Sequence, residues 1–152
     1  MTPIQHLNEL ELAAFKAKWP GMPYPPPMKN SATGANGLTK CIIKYIKLTG
    51  GQAERINTMG RVIDDSRVVE NCLGHRYKIG SSKYIPGTGT KGSADISATI
   101  KGRAVKIEVK WGKDRQSEAQ KVYQANVEMA GGVYYIARTF DEFYKWYNAT
   151  FL

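Results

Sequence analysis

Two carboxylates and a lysine in this sequence stand where one short hairpin would bring them together. Asp95 to Ile100 and Arg103 to Lys110 are alternating runs joined by Lys101-Gly102, and glycine tolerates the positive φ that a two-residue turn requires. With that turn, residue 100 pairs with 103, 99 pairs with 104, and Asp95 falls opposite Glu108. A four-residue loop keeps this pairing and a three-residue loop does not. Directly opposed residues carry Cβ atoms ~4.5–5.5 Å apart. Lys110 joins their face because strand side chains alternate, and the other face receives Ile96, Ala98, Ile100, Val105, Ile107 and Val109. Opposed like charges destabilise a sheet. A divalent cation removes that penalty, because carboxylate oxygens are the ligands that Mg²⁺ and Mn²⁺ prefer. A surface ionic network, with Lys110 neutralising both acids, accounts for the same residues. Asp95→Ala, Glu108→Ala and Lys110→Ala are expected to spare the fold, since all three residues lie on the polar face.

Helices and turns must position this hairpin. Ile4, Leu7, Leu10, Ala14 and Phe15 recur at helical spacing until Pro20 stops them. Gly21 to Pro27 is a stiff extended connector, and residues 29–37 are polar, so the compact part is expected from Asn36 onward. The expected division is residues 1–35, a helix and Pro-rich arm, and residues 36–152, one folded domain. Leu38 to Leu48 places Leu38, Cys41, Ile42, Tyr45 and Ile46 on one helical face and Lys40, Lys44 and Lys47 on the other, ending at Gly50-Gly51. A strand is expected from Ala53 to Ile63, with shorter ones at Arg67–Val69 and Tyr77–Ile79 and a flexible loop at Gly87 to Thr90. Ser117 with Gln120, and Thr139 with Glu142, read as capping boxes opening two later helices. Between them Gly131-Gly132 ends the first helix and Val133 to Ala137 is a continuous apolar strand. Helix, strands, helix, strand, helix is the order of an α/β fold with a small mixed sheet flanked by helices. Trp111 follows Lys110 on the opposite face and is expected to pack in the core.

The charge pattern narrows the partners. Lys and Arg number 22 against 13 Asp and Glu, a formal charge of +9. Residues 76–121 hold eleven basic and four acidic side chains, whereas residues 122–152 hold two and three. A central excess of this kind suits phosphate binding, and a solvated basic face kept for solubility is the plainer explanation. Lys113, Arg115 and Lys121 are candidates to hold backbone phosphates, with Lys91 nearby in sequence. Two cysteines without a CxxC or Cys/His cluster point to neither a disulfide framework nor zinc. No stretch approaches the ~20 apolar residues of a membrane span and no signal-peptide pattern opens the chain. A soluble intracellular domain, cytoplasmic or nucleoid-associated, is expected.

Gly92-x-x-Asp95, eleven further residues and then Ile107-Glu108-Val109-Lys110 resemble the D…(D/E)xK core of the PD-(D/E)xK nuclease superfamily. The continuation is similar to its VRR-NUC branch: Ser117-x-x-Gln120 opening a helix, Gly131-Gly132, an apolar strand and a Thr/Asp-Glu helix start. The resemblance covers roughly residues 38–147 and implies a restriction-endonuclease-like fold. It implies that Asp95 and Glu108, with Val109 beside them, hold Mg²⁺ or Mn²⁺. Lys110 would orient or activate the attacking water or stabilise the developing phosphorane charge. Gln120 would support the site or touch the DNA backbone, with Ser117 close by. Many relatives carry an acid on the first helix of the domain, and Leu38 to Leu48 has none. Asn36, a water or Glu54 would complete the metal shell, which leaves one metal or two open.

The resemblance implies a metal-dependent, structure-selective DNA endonuclease acting on branched or flapped intermediates of replication, repair or recombination, such as four-way junctions. A homodimer would suit a symmetric junction. Two other readings stand beside it. One is a catalytically inactive nucleic-acid-binding module built on the nuclease fold. The other is a subunit whose basic face docks on an acidic protein.

Overall fold

The computed structural model describes residues 1–87 and 89–152, and the chain divides into two compact units: residues 1–56 with 92–152, and residues 57–91. The Gly87 to Thr90 loop expected from the sequence includes Thr88, which lies outside the described residues.

The first unit is mixed α/β. Helix α1 spans Pro3–Lys18 behind a complete capping box, in which the Thr2 hydroxyl accepts from Gln5 N and the Gln5 side chain accepts from Thr2 N. Pro3 sits in its first turn, where the absent N–H costs nothing. Helix α2 (Gly34–Leu48) begins four residues earlier than expected and buries Leu38, Cys41, Ile42, Tyr45 and Ile46. Strands β1 (Gln52–Arg55), β6 (Ile96–Ile100), β7 (Arg103–Val109) and β8 (Val133–Ala137) form one sheet in the order β1-β6-β7-β8. The first two pairings are antiparallel. β7 and β8 run parallel and are joined through helix α3 (Glu118–Met129), as a parallel crossover requires. Helix α4 (Phe140–Phe151) closes the chain.

The hairpin has the register expected from the sequence. Ile96 pairs with Ile107 and Ile100 with Arg103, around a turn whose two central residues, Lys101 and Gly102, have φ of 50° and 76°. Positive φ at both positions matches the twist of the flanking strands. Ile96, Ala98, Ile100, Val105, Ile107 and Val109 are all buried. They join a core with Leu38, Ile42 and Ile46 of α2 and Phe140, Phe143 and Tyr147 of α4. Tyr45 lies at its centre, within aromatic contact of His6, Phe140, Phe143, Tyr144 and Tyr147, and its hydroxyl donates to Asn148 Oδ1 at 2.9 Å. Tyr135 stacks on Trp146 at 4.0 Å.

The N-terminal segment is part of this unit rather than an arm. Leu7 is fully buried in the core, and Ile4 and Leu10 pack against it. His6 Nδ1 and the Tyr144 hydroxyl lie 2.9 Å apart. The connector is tied down as well: Asn30 donates to Asn8 Oδ1 and Glu11 Oε2, while Lys44 reaches both Glu11 and Asn30. The division expected at residues 35 and 36 therefore coincides with neither edge of the two units. Trp111, expected in the core, is instead 41% exposed, because β7 ends at Val109 and the chain turns away through Gly112 at φ 58°. Among the described residues no helix is long and apolar enough to cross a membrane.

The second unit is a two-stranded ribbon. β2 (Arg61–Asp64) pairs antiparallel with β5 (Ser82–Ile85), and β3 (Arg67–Glu70) with β4 (Arg76–Ile79). Both pairs share one register, since Arg61 faces Ile85, Arg67 faces Ile79 and Asp65 N bonds Ser81 O between them at 3.3 Å. Gly80 has φ 88°, and a Cβ there would stand 2.5 Å from the Asp65 carbonyl. The single strand expected over Ala53 to Ile63 is two elements, β1 and β2, belonging to different units.

Candidate functional site

The chemistry converges at the end of the β6–β7 hairpin. Asp95 lies one residue before β6, with its backbone O accepting from Ile56 N at 2.8 Å and its Oδ2 accepting from Val109 N at 2.9 Å. The Val109 N–H thus fixes one Asp95 oxygen on the face that bears Glu108. Glu108 sits in β7 opposite Ile136 of β8, and the face it shares with Tyr134 is the one α3 approaches.

Glu108 Oε1 collects two donors, Lys110 Nζ at 3.0 Å and Gln120 Nε2 at 2.5 Å. Gln120 Oε1 in turn accepts from Lys110 Nζ at 2.9 Å and from Ser117 N at 3.0 Å. The capping box that starts α3 therefore also holds the lysine and the glutamate. Gln120 is fixed at the third helical position because the Ser117 hydroxyl accepts its N–H. Gly92 sets how closely α3 approaches: its φ is 79°, and a Cβ would stand 2.4 Å from the Ala119 carbonyl and 2.8 Å from Gln120 N. Gly92→Ala is therefore expected to displace the first turn of α3, leaving a folded protein with a loosened Glu108–Gln120–Lys110 network. A lowered midpoint of thermal unfolding with retained far-ultraviolet circular dichroism checks it. A wild-type midpoint in that variant counts against it.

This network is not the exposed polar face expected from the sequence. Glu108 is 2% exposed and Lys110 is 8%. That burial overturns the expectation that alanine at these positions spares the fold: removing one partner strands the other charge, which costs about 3–5 kcal/mol. Burial also pushes the Glu108 carboxyl above the usual glutamate value; the Asp95 charge adds to the rise, and Lys110 and Gln120 oppose it. Its other oxygen, Oε2, is buried without a hydrogen-bond partner. The Ser93 hydroxyl is unpartnered in the same way. Ser93 stands two residues from Asp95. Burial pushes the Tyr134 hydroxyl up to about 12; the Gln116 side chain opposes the rise, and the Glu108 and Asp95 charges add to it. A buried polar atom without a partner costs about 1–3 kcal/mol, so the bare Glu108 Oε2 is the atom at this end of the hairpin that a bound ligand would satisfy.

Asp95, Glu108, Lys110 and Gln120 are thus brought together. Ser117 serves as the helix cap, and Lys121 pairs with Glu118 on the surface at 2.7 Å. Lys113 and Arg115 are exposed in the turn after β7, and Lys91 is exposed in the second unit. Asn36 and Glu54 are exposed, and among the described residues no group of three or more His, Cys, Asp or Glu side chains is gathered as a metal site. Sequence reasoning missed Ser93 and Tyr134; the hydroxyl inside the otherwise apolar run VYYIA was the available signal. No protein-family model matches the chain, and no curated protein matches it either.

Proposed function

We propose that this chain is a metal-dependent, structure-selective endodeoxyribonuclease of the PD-(D/E)xK, VRR-NUC-like kind, with a restriction-endonuclease-like fold. The observation that carries the reading is the bare, buried Glu108 Oε2 beside Asp95, with the remaining Glu108 oxygen committed to Lys110 and Gln120. Two hard carboxylates suit Mg²⁺, which is commonly held by one or two carboxylates with waters and substrate phosphates completing the shell. Asp95 and Glu108 would hold a single ion, consistent with the lack of a third acid among the described residues. When bound, the ion supplies charge neutralisation at a phosphoryl oxygen and a water made acidic enough to attack.

The chain's own residues supply the rest. Hydrolysis forms a bond from water oxygen to phosphorus and breaks one bridging P–O bond, so negative charge gathers on the phosphoryl oxygens. Lys110, pinned by Glu108 and Gln120, presents its ammonium to that charge without having to reorganise. Gln120 positions both partners. Val109 N holds Asp95 in place. DNA intermediates of replication, repair or recombination are the proposed substrates, four-way junctions among them, cut by a homodimer in the cytoplasm or nucleoid.

A second reading, a nuclease fold that holds nucleic acid without cutting it, draws on the tie between Lys110 and Glu108, which already neutralises part of the site. Incubating labelled four-way junction, flap and linear duplex with Mg²⁺, Mn²⁺ or EDTA separates the two. Metal-dependent cutting is the expected result. Salt-sensitive retention with no cutting in either metal supports the second reading, and the absence of both defeats each.

A further inference from the structure

We infer that the ribbon formed by residues 61–85 is a nucleic-acid-gripping arm that lies along a groove of duplex DNA. The inference extends the nuclease reading by naming how substrate is held, and its chemistry stands on the ribbon's own register.

A two-stranded ribbon has two faces, and in this one they differ in charge. On the first, Arg61 stands opposite Ile85, Lys83 opposite Ile63 and Arg67 opposite Ile79, with Val69 opposite Tyr77 toward the tip. That face carries three cations and one acid, Asp65, which the shared register sets opposite Ser81. On the second, Asp64 and Glu70 offset Arg76 and Lys78, and the Arg76–Glu70 pair closes at 2.9 Å. The one-sided charge is a consequence of register, since a slip of one residue would mix the two sets.

Each cation on the first face lies across from an isoleucine, so its aliphatic stem has an apolar neighbour to cover while the charged head stays in water. Arg61, Arg67 and Lys83 are exposed, whereas Ile63, Val69 and Ile79 are half-buried. The cations also alternate between the legs: Arg61 and Arg67 on the first, Lys83 between them on the second. Charges at both edges of a narrow ribbon match phosphates lining both sides of a groove. The major groove is wide enough for a two-stranded ribbon. The leg from Arg61 to Glu70 extends about 30 Å at strand rise, somewhat less than the roughly 34–36 Å of one DNA turn.

Among the described residues, the ribbon leaves large apolar side chains uncovered. Val62, Val68, Tyr77 and Tyr84 are all more than half exposed, and an isolated two-stranded ribbon is marginal in water. The chain enters it just after Ile56, whose N–H donates to the Asp95 backbone, and leaves it just before Gly92, which packs on the first turn of α3.

The test is DNA binding by the full chain in EDTA, where nothing is cut, measured by fluorescence anisotropy of a labelled linear duplex over a series of salt concentrations. The triple variant Arg61→Ala, Arg67→Ala, Lys83→Ala is compared with wild type and with the control Arg76→Ala, Lys78→Ala. All five side chains are exposed, so unchanged thermal unfolding is expected throughout. The triple variant should show a slope of log affinity against log salt shallower by about two to three, at about 0.9 for each phosphate that is no longer neutralised, and the control should keep the wild-type slope. Equal slopes in wild type and triple variant, equal losses in triple variant and control, or no DNA binding by wild type each overturn the inference. A wild-type dimer that the triple variant dissociates in sedimentation velocity also overturns it, because the face would then join two copies of the chain. Parallel Mg²⁺ reactions keep the two readings apart. Ribbon-dependent binding without cutting defeats the nuclease alone, and cutting with an unchanged slope in the triple variant defeats the arm alone.

Discussion

Glu108→Gln is expected to stay folded but less stable than wild type, because it removes the charge facing the buried Lys110 ammonium, and to lose metal-dependent cleavage by at least about 10³-fold, roughly 4 kcal/mol of transition-state stabilisation. The glutamine keeps the shape of the side chain and an oxygen able to accept from Lys110 Nζ and Gln120 Nε2, as Oε1 does in the wild type. What it removes is the charge at Oε2, the buried oxygen that has no partner. Saturating Mg²⁺ at about 100 times its dissociation constant should stabilise wild type by about 2.7 kcal/mol, a rise of about 5–10 °C in a chain of this size. That rise should vanish in the variant. A variant that keeps both the turnover and the thermal shift would sink the metal assignment.

The same substitution has a pH signature in EDTA. Because burial holds the Glu108 carboxyl above its usual value of 4.5, the folded state keeps a proton that the unfolded chain releases. Its contribution to stability is therefore full below that usual value and is lost as pH rises through the higher folded value. The metal-free stability of wild type relative to Glu108→Gln should fall with rising pH across that window. A flat difference between the two proteins would mean that Glu108 titrates as it does in the unfolded chain.

The second large effect belongs to the N-terminal helix. Leu7→Ala should cost about 2–5 kcal/mol, as other buried leucines do, and lower the midpoint of thermal unfolding by about 5–15 °C. Leu7 is fully buried with core residues from α2 and α4, so the cavity would open at the junction of three helices. Met22→Ala, in the half-exposed connector, should shift the midpoint by less than about 2 °C and serves as the control. Calorimetry checks both. Equal midpoints for Leu7→Ala and wild type would return α1 to the status of a loose arm.

Local chemistry made much of this fold legible. Lys101-Gly102 forces one turn geometry, and with it the register that sets Asp95 near Glu108. Ser117 with Gln120 announced both the start of α3 and, through the same side chain, the link to the site. The Thr139 cap was half right: its hydroxyl accepts from Glu142 N, while the reciprocal bond is absent. What failed was everything decided by distant segments. Glu108 and Lys110 looked solvent-facing because a strand's alternation says which face a residue joins and not what covers that face. The covering helix α3 follows only after the turn at residues 110–117. Residues 1–35 looked like an arm because a proline-rich connector is extended whether or not it is tied down, and the tie here is made by Asn8, Glu11 and Asn30. The strand β5 was missed because Ser82–Ile85 is short, exposed and unpatterned on its own.

The insertion of the ribbon between β1 and β6 bears on how the sheet assembles. Arg55 and Ile96 pair across everything that lies between them, and closing a flexible loop of that length is an entropic burden on the first unit. A ribbon that zips from its own turn, where Asn71 Oδ1 accepts from Leu73 N and His75 N, draws the two ends together beforehand. The loop left to close is then about 2.5-fold shorter, a relief of about 0.8 kcal/mol at about 0.6 per halving. Insertions that fold back on themselves are cheap for the host sheet in this sense. Mutations that unzip the ribbon should accordingly slow formation of the β1–β6 pairing while leaving the β6–β7 hairpin, whose pairing is local, untouched.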